Sequence, residues 1–343
     1  MKLIIQIPCY NEEKTLPLVL KSIPKKIPGI TEIETLIIDD GSTDKTVAVA
    51  TKLGANYIIH HKRNKGLARS FTDGLNESLR LGADIIVNTD ADNQYPQKDI
   101  GRLIEPILKG RADIVIANRQ TDKIKHFSPL KKLFQKLGSA LVRYISHSNI
   151  PDAVSGFRAY SRTAALQLNV VTEFSYVIET IIQSQTKRIA IESINVRTNP
   201  PTRPSRLFSN MFEHMRHSGS AIIRVYTMYR PLLVFVITGA FIFLAGFAFG
   251  IRYLYFLSLG QSGGHLQSLI LSAILMVIGF QTAMTGLVTD LVSINRKLIE
   301  DTLGRVKNLE LGEIPPLSIR TRKHKRKTIK KELSRGQTGY LLN

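Results

Sequence analysis

Residues 84–94 read Asp84-Ile85-Ile86-Val87-Asn88-Thr89-Asp90-Ala91-Asp92-Asn93-Gln94. A short β-rich run stops there, and two aspartates follow with one residue between them. Four more runs of this kind lie at Leu3 to Ile7, Glu34 to Ile38, Asn56 to His60 and Asp113 to Ala117. Helical stretches separate them near Lys14 to Ile23, Asp44 to Leu53, Gly66 to Leu81 and Lys98 to Lys109. This alternation predicts an α/β domain, a mostly parallel sheet with helices on both faces. In such sheets ligands bind beyond the carboxyl ends of the strands, where loops and helix amino termini converge. The residues just after each run are therefore the candidates for function.

After the first run comes Pro8-Cys9-Tyr10-Asn11-Glu12-Glu13, and after the second Asp39-Asp40-Gly41-Ser42. A lone Asp44 or Ser42 in such a place reads as a helix cap. Asp90 and Asp92 read differently, because like charges that close repel unless a cation sits between them. Oxygen ligands favour Mg²⁺ or Mn²⁺, and Mg²⁺ bound by one or two carboxylates completes its shell with phosphate oxygens. The expectation is a site for a divalent metal and a diphosphate.

Together with Asn118-Arg119 and Ser155-Gly156-Phe157-Arg158, these segments occur in the order and spacing of the family-two glycosyltransferases with the GT-A fold. The match runs over about residues 1–210. Within that family the chain resembles the branch of dolichyl-phosphate mannose synthases and bacterial polyprenyl-phosphate glycosyltransferases. The resemblance implies that Pro8, Tyr10, Glu12, Ile38 and Asp40 hold the base and ribose of a nucleotide-sugar. It implies that Asp90, Asp92 and Gln94 bind Mg²⁺ or Mn²⁺, that Ala91 and Arg119 touch the donor, and that transfer is a single displacement with inversion. Arg206 stands where the branch has a lysine, and Arg197 and Arg203 compete for the place of an upstream arginine. A guanidinium fork suits phosphate at any of the three. Asp152, four residues before Gly156, is the candidate general base, its plain reading being a turn former after Pro151. Glu179, in an expected helix Tyr176 to Gln185, lies at the same acceptor edge.

The acceptor implied is a polyprenyl phosphate. Transfer to a lipid hydroxyl such as diacylglycerol is the alternative, and a non-catalytic sugar-nucleotide sensor is a third reading that the complete Asp90, Asp92 and Gln94 set speaks against. A processive polysaccharide synthase would carry a Gln-x-x-Arg-Trp motif, and this chain has no Trp.

The second half is of another composition. Leu232 to Ile251 and Leu266 to Thr289 carry no charge, and each is long enough to cross a hydrocarbon core of about 30 Å as a helix. Arg216, Arg224 and Arg230 precede the first span, Arg296 and Lys297 follow the second, and the loop between carries Arg252. That asymmetry places the catalytic part and both termini on the cytoplasmic side of a multi-pass membrane protein. Gly246 with Gly250, and Gly279 with Ala283, would let helices approach closely, as in a homo-oligomer. Arg206 to Tyr229 mixes apolar and basic residues as an interfacial helix does. The organisation expected is a catalytic domain over 1–205, juxtamembrane helices over 206–230, two spans over 231–292 and a basic tail over 293–343.

The net charge of +20 is concentrated in that tail, where nine Lys or Arg between Arg320 and Arg335 face Glu332 alone. Beside a membrane such a run attracts anionic lipids. Without Trp, aromatic interleaving or a helix-turn-helix pattern, nucleic acid is not the expected partner. Cys9 is the single cysteine, which excludes an internal disulfide framework and a Cys-based zinc site and fits a reducing compartment. The run Leu3 to Ile7 is too short for a signal peptide.

Overall fold

The computed structural model describes residues 1–120, 150–170, 176–200, 227, 230–260, 265–310 and 319–320. It divides into two compact units, Met1–Ser209 with Gly304–Asn343, and Asn210–Leu303. Arg203, Arg206, residues 206–226 of the expected interfacial helix and the basic run after Arg320 lie outside the described residues.

The first unit alternates as expected: β1 (Lys2–Cys9), α1 (Leu16–Ser22), β2 (Glu32–Asp39), α2 (Thr46–Leu53), β3 (Tyr57–His60), α3 (Leu67–Arg80), β4 (Ile85–Asn88), α4 (Ile100–Leu108) and β5 (Ile114–Asn118). Then follow β6 (Arg158–Ser161), α5 (Arg162–Gln167), α6 (Tyr176–Thr186), β7 (Ile191–Asn195) and, far along the chain, β8 (Ile319–Arg320). The sheet order is β7-β5-β6-β4-β1-β2-β3-β8. The pairs β1 with β2 and β4, β2 with β3, and β5 with β7 are parallel. β6 runs antiparallel between β4 and β5, an insertion that strand and helix alternation does not foretell. β8 closes the β3 edge, also antiparallel.

β1 sits in the middle and is buried from Leu3 to Cys9, which is why its sequence is an apolar run and not an alternation. Leu3, Ile5 and Ile7 join Leu16, Val19, Leu103 and Ile104 in one core cluster on the face covered by α1 and α4. Burying each such side chain contributes about 1.5–3 kcal/mol. On the opposite face α3 lies close to the sheet, since a Cβ on Gly74 would come within 2.8 Å of Ile38 Cδ1 and 2.9 Å of Gln6 Oε1. Phe71 of α3 stacks on Tyr176 of α6 at 4.1 Å between ring centroids, which ties the end of the domain to its centre.

In the second unit α7 (Pro231–Ser258) and the greater part of α8 (Leu266–Glu310) are both long and apolar enough to cross a membrane. Their apolar side chains are mostly uncovered, Phe241, Leu244, Val277 and Phe280 among them, unlike those of a soluble core helix. The expected close approach is present and lies within one chain. A Cβ on Gly239 would stand 2.6 Å from Gly279 O, one on Gly246 2.8 Å from Leu275 Cβ, and one on Gly250 2.8 Å from Ser272 Oγ. α8 continues as helix well beyond the apolar run, with Arg296 Nε 2.8 Å from Glu300 Oε1 one turn on.

Candidate functional site

The strands end together, and their loops are tied to one another before any ligand is considered. Asn11, at φ 55, donates its backbone N–H to Ser42 Oγ at 2.9 Å, and its side-chain oxygen accepts from Thr43 N at 2.8 Å. Glu12 N donates to Thr46 Oγ1 at 2.8 Å. Asp44 accepts from Thr46 N at the start of α2, so it takes the local turn role, while Ser42 serves the first loop. Gly41 lets the loop after β3 pass close by, because at φ 74 a Cβ there would lie 2.6 Å from the Arg63 carbonyl carbon. Of the residues the resemblance assigns to the nucleotide, Tyr10 is exposed and Glu12 and Asp40 are nearly buried at the rim. Pro8, Ala91 and Ile38 are buried, and Ile38 packs under Gly74 of α3.

Asp39 ends β2 and His60 ends β3 directly opposite it, with Asp40 and His61 the next residue of each. The result is two successive Asp–His pairs: Asp39 Oδ2 to His60 Nδ1 at 2.7 Å and Asp40 Oδ1 to His61 Nδ1 at 2.8 Å. Asp40 also accepts from Lys65 N and Gly66 N, both at 2.9 Å, at the amino terminus of α3. That end of a helix favours a negative charge. Sequence reading missed His61, although a His–His pair ending the third strand opposite Asp–Asp ending the second was the available signal.

Beyond β4, Asp90, Asp92 and Gln94 are half-buried on one short loop. Asp92 Oδ1 accepts from Gln94 N at 2.9 Å, and Asn93 turns the chain at φ 62, a left-handed conformation that Asn tolerates. Asn199 clamps this loop from the far side, donating N to Gln94 O and Nδ2 to Asn93 O, both at 2.9 Å. The clamp brings the segment with exposed Arg197 up to the acidic loop; nothing in the sequence reading singled Asn199 out. Among the described residues no three His, Cys, Asp or Glu form a cage for a metal. Two carboxylates and an amide supply only part of an oxygen shell, which suits Mg²⁺ or Mn²⁺ shared with a diphosphate and does not suit a closed structural site.

Opposite the acidic loop stands the turn 152–156. A Cβ on Gly156 would lie 3.0 Å from Asp90 Oδ2 and 3.2 Å from the Tyr176 hydroxyl, so only glycine lets this turn close on Asp90 without displacing it. A polar chain beneath sets the height of both. Gln6 Nε2 donates to Asn88 Oδ1 at 2.9 Å, and Asn88 Nδ2 donates to Gly156 O at 2.9 Å and to the Tyr176 hydroxyl at 3.1 Å. Arg158, fully buried, donates to Ala153 O, Ser155 O, Val177 O and Thr180 Oγ1 and so staples the turn to α6. Glu179 is buried within α6 and accepts from Gln183 at 3.3 Å.

Arg119 and Asp152 meet here. The guanidinium grips the carboxylate with two bonds, Nε to Oδ2 at 2.7 Å and Nη2 to Oδ1 at 2.9 Å, and Arg119 N adds a third at 3.2 Å. Burial by itself would raise the Asp152 carboxyl, but the Arg119 charge and hydrogen bonds outweigh it and hold the group below its ordinary value. Burial pulls the Arg119 guanidinium down, and Tyr95, Asp152 and Asp90 together push it up. The Tyr95 hydroxyl, which accepts from Gly156 N at 3.2 Å, is pushed up to about 12, chiefly by burial. In this structure both Asp152 oxygens are held by Arg119.

Residues 4–168 match the profile of Glycosyl transferase family 2. A UDP-N-acetylglucosamine–dolichyl-phosphate N-acetylglucosaminyltransferase of Methanococcus voltae is 28% identical over 217 residues, 56% of this chain and 83% of the relative. An undecaprenyl-phosphate mannosyltransferase of Micrococcus luteus is 28% identical over 204 residues, 57% of this chain and 82% of the relative. Glucosyl-3-phosphoglycerate synthase from Mycobacterium tuberculosis, in a crystal with Mn²⁺, UDP-glucose and phosphoglyceric acid, shares the fold with a TM-score of 0.50 and 23% identity, over 66% of this chain and 78% of that one. The fold, the loops at its strand ends and these relatives agree, and the chain is a glycosyltransferase belonging to Glycosyl transferase family 2.

Proposed function

We propose that this chain transfers a hexose from a UDP- or GDP-sugar to a polyprenyl or dolichyl phosphate at the cytoplasmic face of a membrane. The observation that carries the reading is the acidic loop Asp90–Gln94 set against the Gly156 turn, with the Arg119–Asp152 pair buried behind it. The relatives named for dolichyl and undecaprenyl phosphate support the acceptor, and two helices able to cross a membrane would keep the domain beside such a lipid.

In this reading Tyr10, Glu12 and Asp40 hold the nucleoside, with Pro8, Ile38 and Ala91 shaping the floor. A divalent ion held by Asp90, Asp92 and Gln94 would offset the negative charge that grows on the diphosphate. Arg119 would assist with the same charge, and Arg197, Arg203 and Arg206 are the further candidates for phosphate. An acceptor phosphate oxygen bonds to the anomeric carbon as the bond from that carbon to the diphosphate oxygen breaks. The nucleoside diphosphate leaves with the electron pair, and the anomeric centre inverts. A phosphate monoester, with a second pKa of about 6, arrives ionised, so no side chain has to remove a proton. A lipid hydroxyl would need a free base, and both Asp152 oxygens are engaged by Arg119.

The test is product analysis with purified full-length chain, polyprenyl phosphate, diacylglycerol and a panel of nucleotide sugars. A sugar found on the lipid phosphate is the expected result; sugar on diacylglycerol alone, or no transfer with any donor, overturns the reading. Topology is checked separately. Protease added outside spheroplasts should reach only the connection between α7 and α8, and cleavage within 1–200 from outside would contradict a cytoplasmic catalytic domain.

A further inference from the structure

His61 is 97% removed from solvent, and neither the acidic loop nor the Gly156 turn uses it. Its ring is held between two carboxylates, Nδ1 at 2.8 Å from Asp40 Oδ1 and Nε2 at 3.1 Å from Asp73 Oδ2. Asp73 is in turn paired with Arg69, one turn earlier on α3, at 3.1 Å. The ring thus bridges a carboxylate just after β2 and one on α3. The chain of groups runs from an exposed arginine on α3 to the carboxylate at the end of β2.

Its geometry serves Asp40. One Asp40 oxygen takes His61 Nδ1 and Lys65 N, the other takes Gly66 N. With three fixed donors on two oxygens, the carboxylate plane and the direction of the remaining lone pairs are set before a ligand arrives. A carboxylate so held, 5% exposed, binds without first losing rotamer freedom. We infer that His61 is the positioning residue of the nucleoside site: His61, just after β3 and backed by Asp73 of α3, orients Asp40 toward the base and ribose of the donor. The inference rests on the proposed placement of the nucleoside at Asp40, and its test separates the two.

The experiment measures the Kd of UDP and of GDP, each with Mg²⁺, for the detergent-solubilised full chain, and uses whichever nucleotide binds. The variants are Asp40→Asn, His61→Gln, the double variant and Asp73→Asn, with thermal unfolding as the check of folding. His61→Gln should weaken nucleotide binding about tenfold and raise the donor KM in parallel, with kcat changed less than about threefold. Asp73→Asn should weaken binding about threefold. The double variant should bind no worse than Asp40→Asn alone, because a residue acting through Asp40 has nothing left to act on. Losses that multiply in the double variant would mean that His61 supports the fold in general, and would overturn the inference while leaving Asp40 at the nucleoside. An unchanged Kd in Asp40→Asn would overturn the placement of the nucleoside, and this inference with it. Should His61→Gln fail to fold, Asp73→Asn, which leaves the His61–Asp40 contact in place, decides: unchanged affinity there overturns the proposal.

Discussion

Asp92→Asn is expected to lower transfer by at least about 10³, roughly 4 kcal/mol of transition-state stabilisation, while thermal unfolding stays close to that of the parent chain. The two halves of that expectation have separate causes. Asp92 lies half-buried on a loop beyond β4, outside the apolar core, and accepts from Gln94 N through Oδ1. An asparagine keeps a carbonyl oxygen at that place, so the loop retains its hydrogen bond. The substitution removes the negative charge, which is what a divalent cation and a departing diphosphate respond to. Excess chelator should silence the parent chain in the same way, and added Mg²⁺ or Mn²⁺ should restore it. Full activity of the variant, or of the parent chain in chelator, would sink the metal assignment.

How much of this was legible in the sequence follows from which interactions are local. The five parallel strands and the four helices between them stand where apolar periodicity puts them, because each is buried by its own pattern. β6 was not legible: Arg158-Ala159-Tyr160-Ser161 has no apolar run, and its burial comes from the antiparallel partners β4 and β5 on either side. β7 is only partly buried, an edge strand of mixed residues. At the site, the acidic loop could be read because Asp90 and Asp92 are neighbours in sequence. The clamp by Asn199 spans 106 residues and the grip of Arg119 on Asp152 spans 33, so composition and spacing carry no trace of either. Asp152 was picked out by its distance from Gly156, and its role as a base followed from residue type alone.

The grip of Arg119 on Asp152 sets the last expectation, that Asp152→Asn will be impaired and still active. The asparagine oxygen can accept one of the Arg119 hydrogen bonds, but the charge that fixes the guanidinium is gone, and Arg119 is left largely unpaired in a buried place. Breaking such a pair from one side costs about 3–5 kcal/mol of stability in general, so folding is to be verified before rates are compared. The rate itself should fall about 10²-fold, the order expected when an aligned group drifts by about 1 Å. The pH dependence then separates positioning from proton removal. The folded-state value of Asp152 lies below its unfolded one, so the contribution of the pair is complete above about pH 4 and is lost only as the pH falls through the lower, folded value. Between pH 5 and 8 the pair is therefore constant. With polyprenyl phosphate as acceptor, any acid limb near pH 6 belongs to the phosphate and should appear equally in parent and variant. A general base would behave otherwise: its limb would vanish from the variant and the rate would drop by as much as about 10⁴. A loss beyond about 10⁴ in a folded variant, with no turnover at any pH, would restore Asp152 to the role of base and count against an acceptor that arrives already ionised.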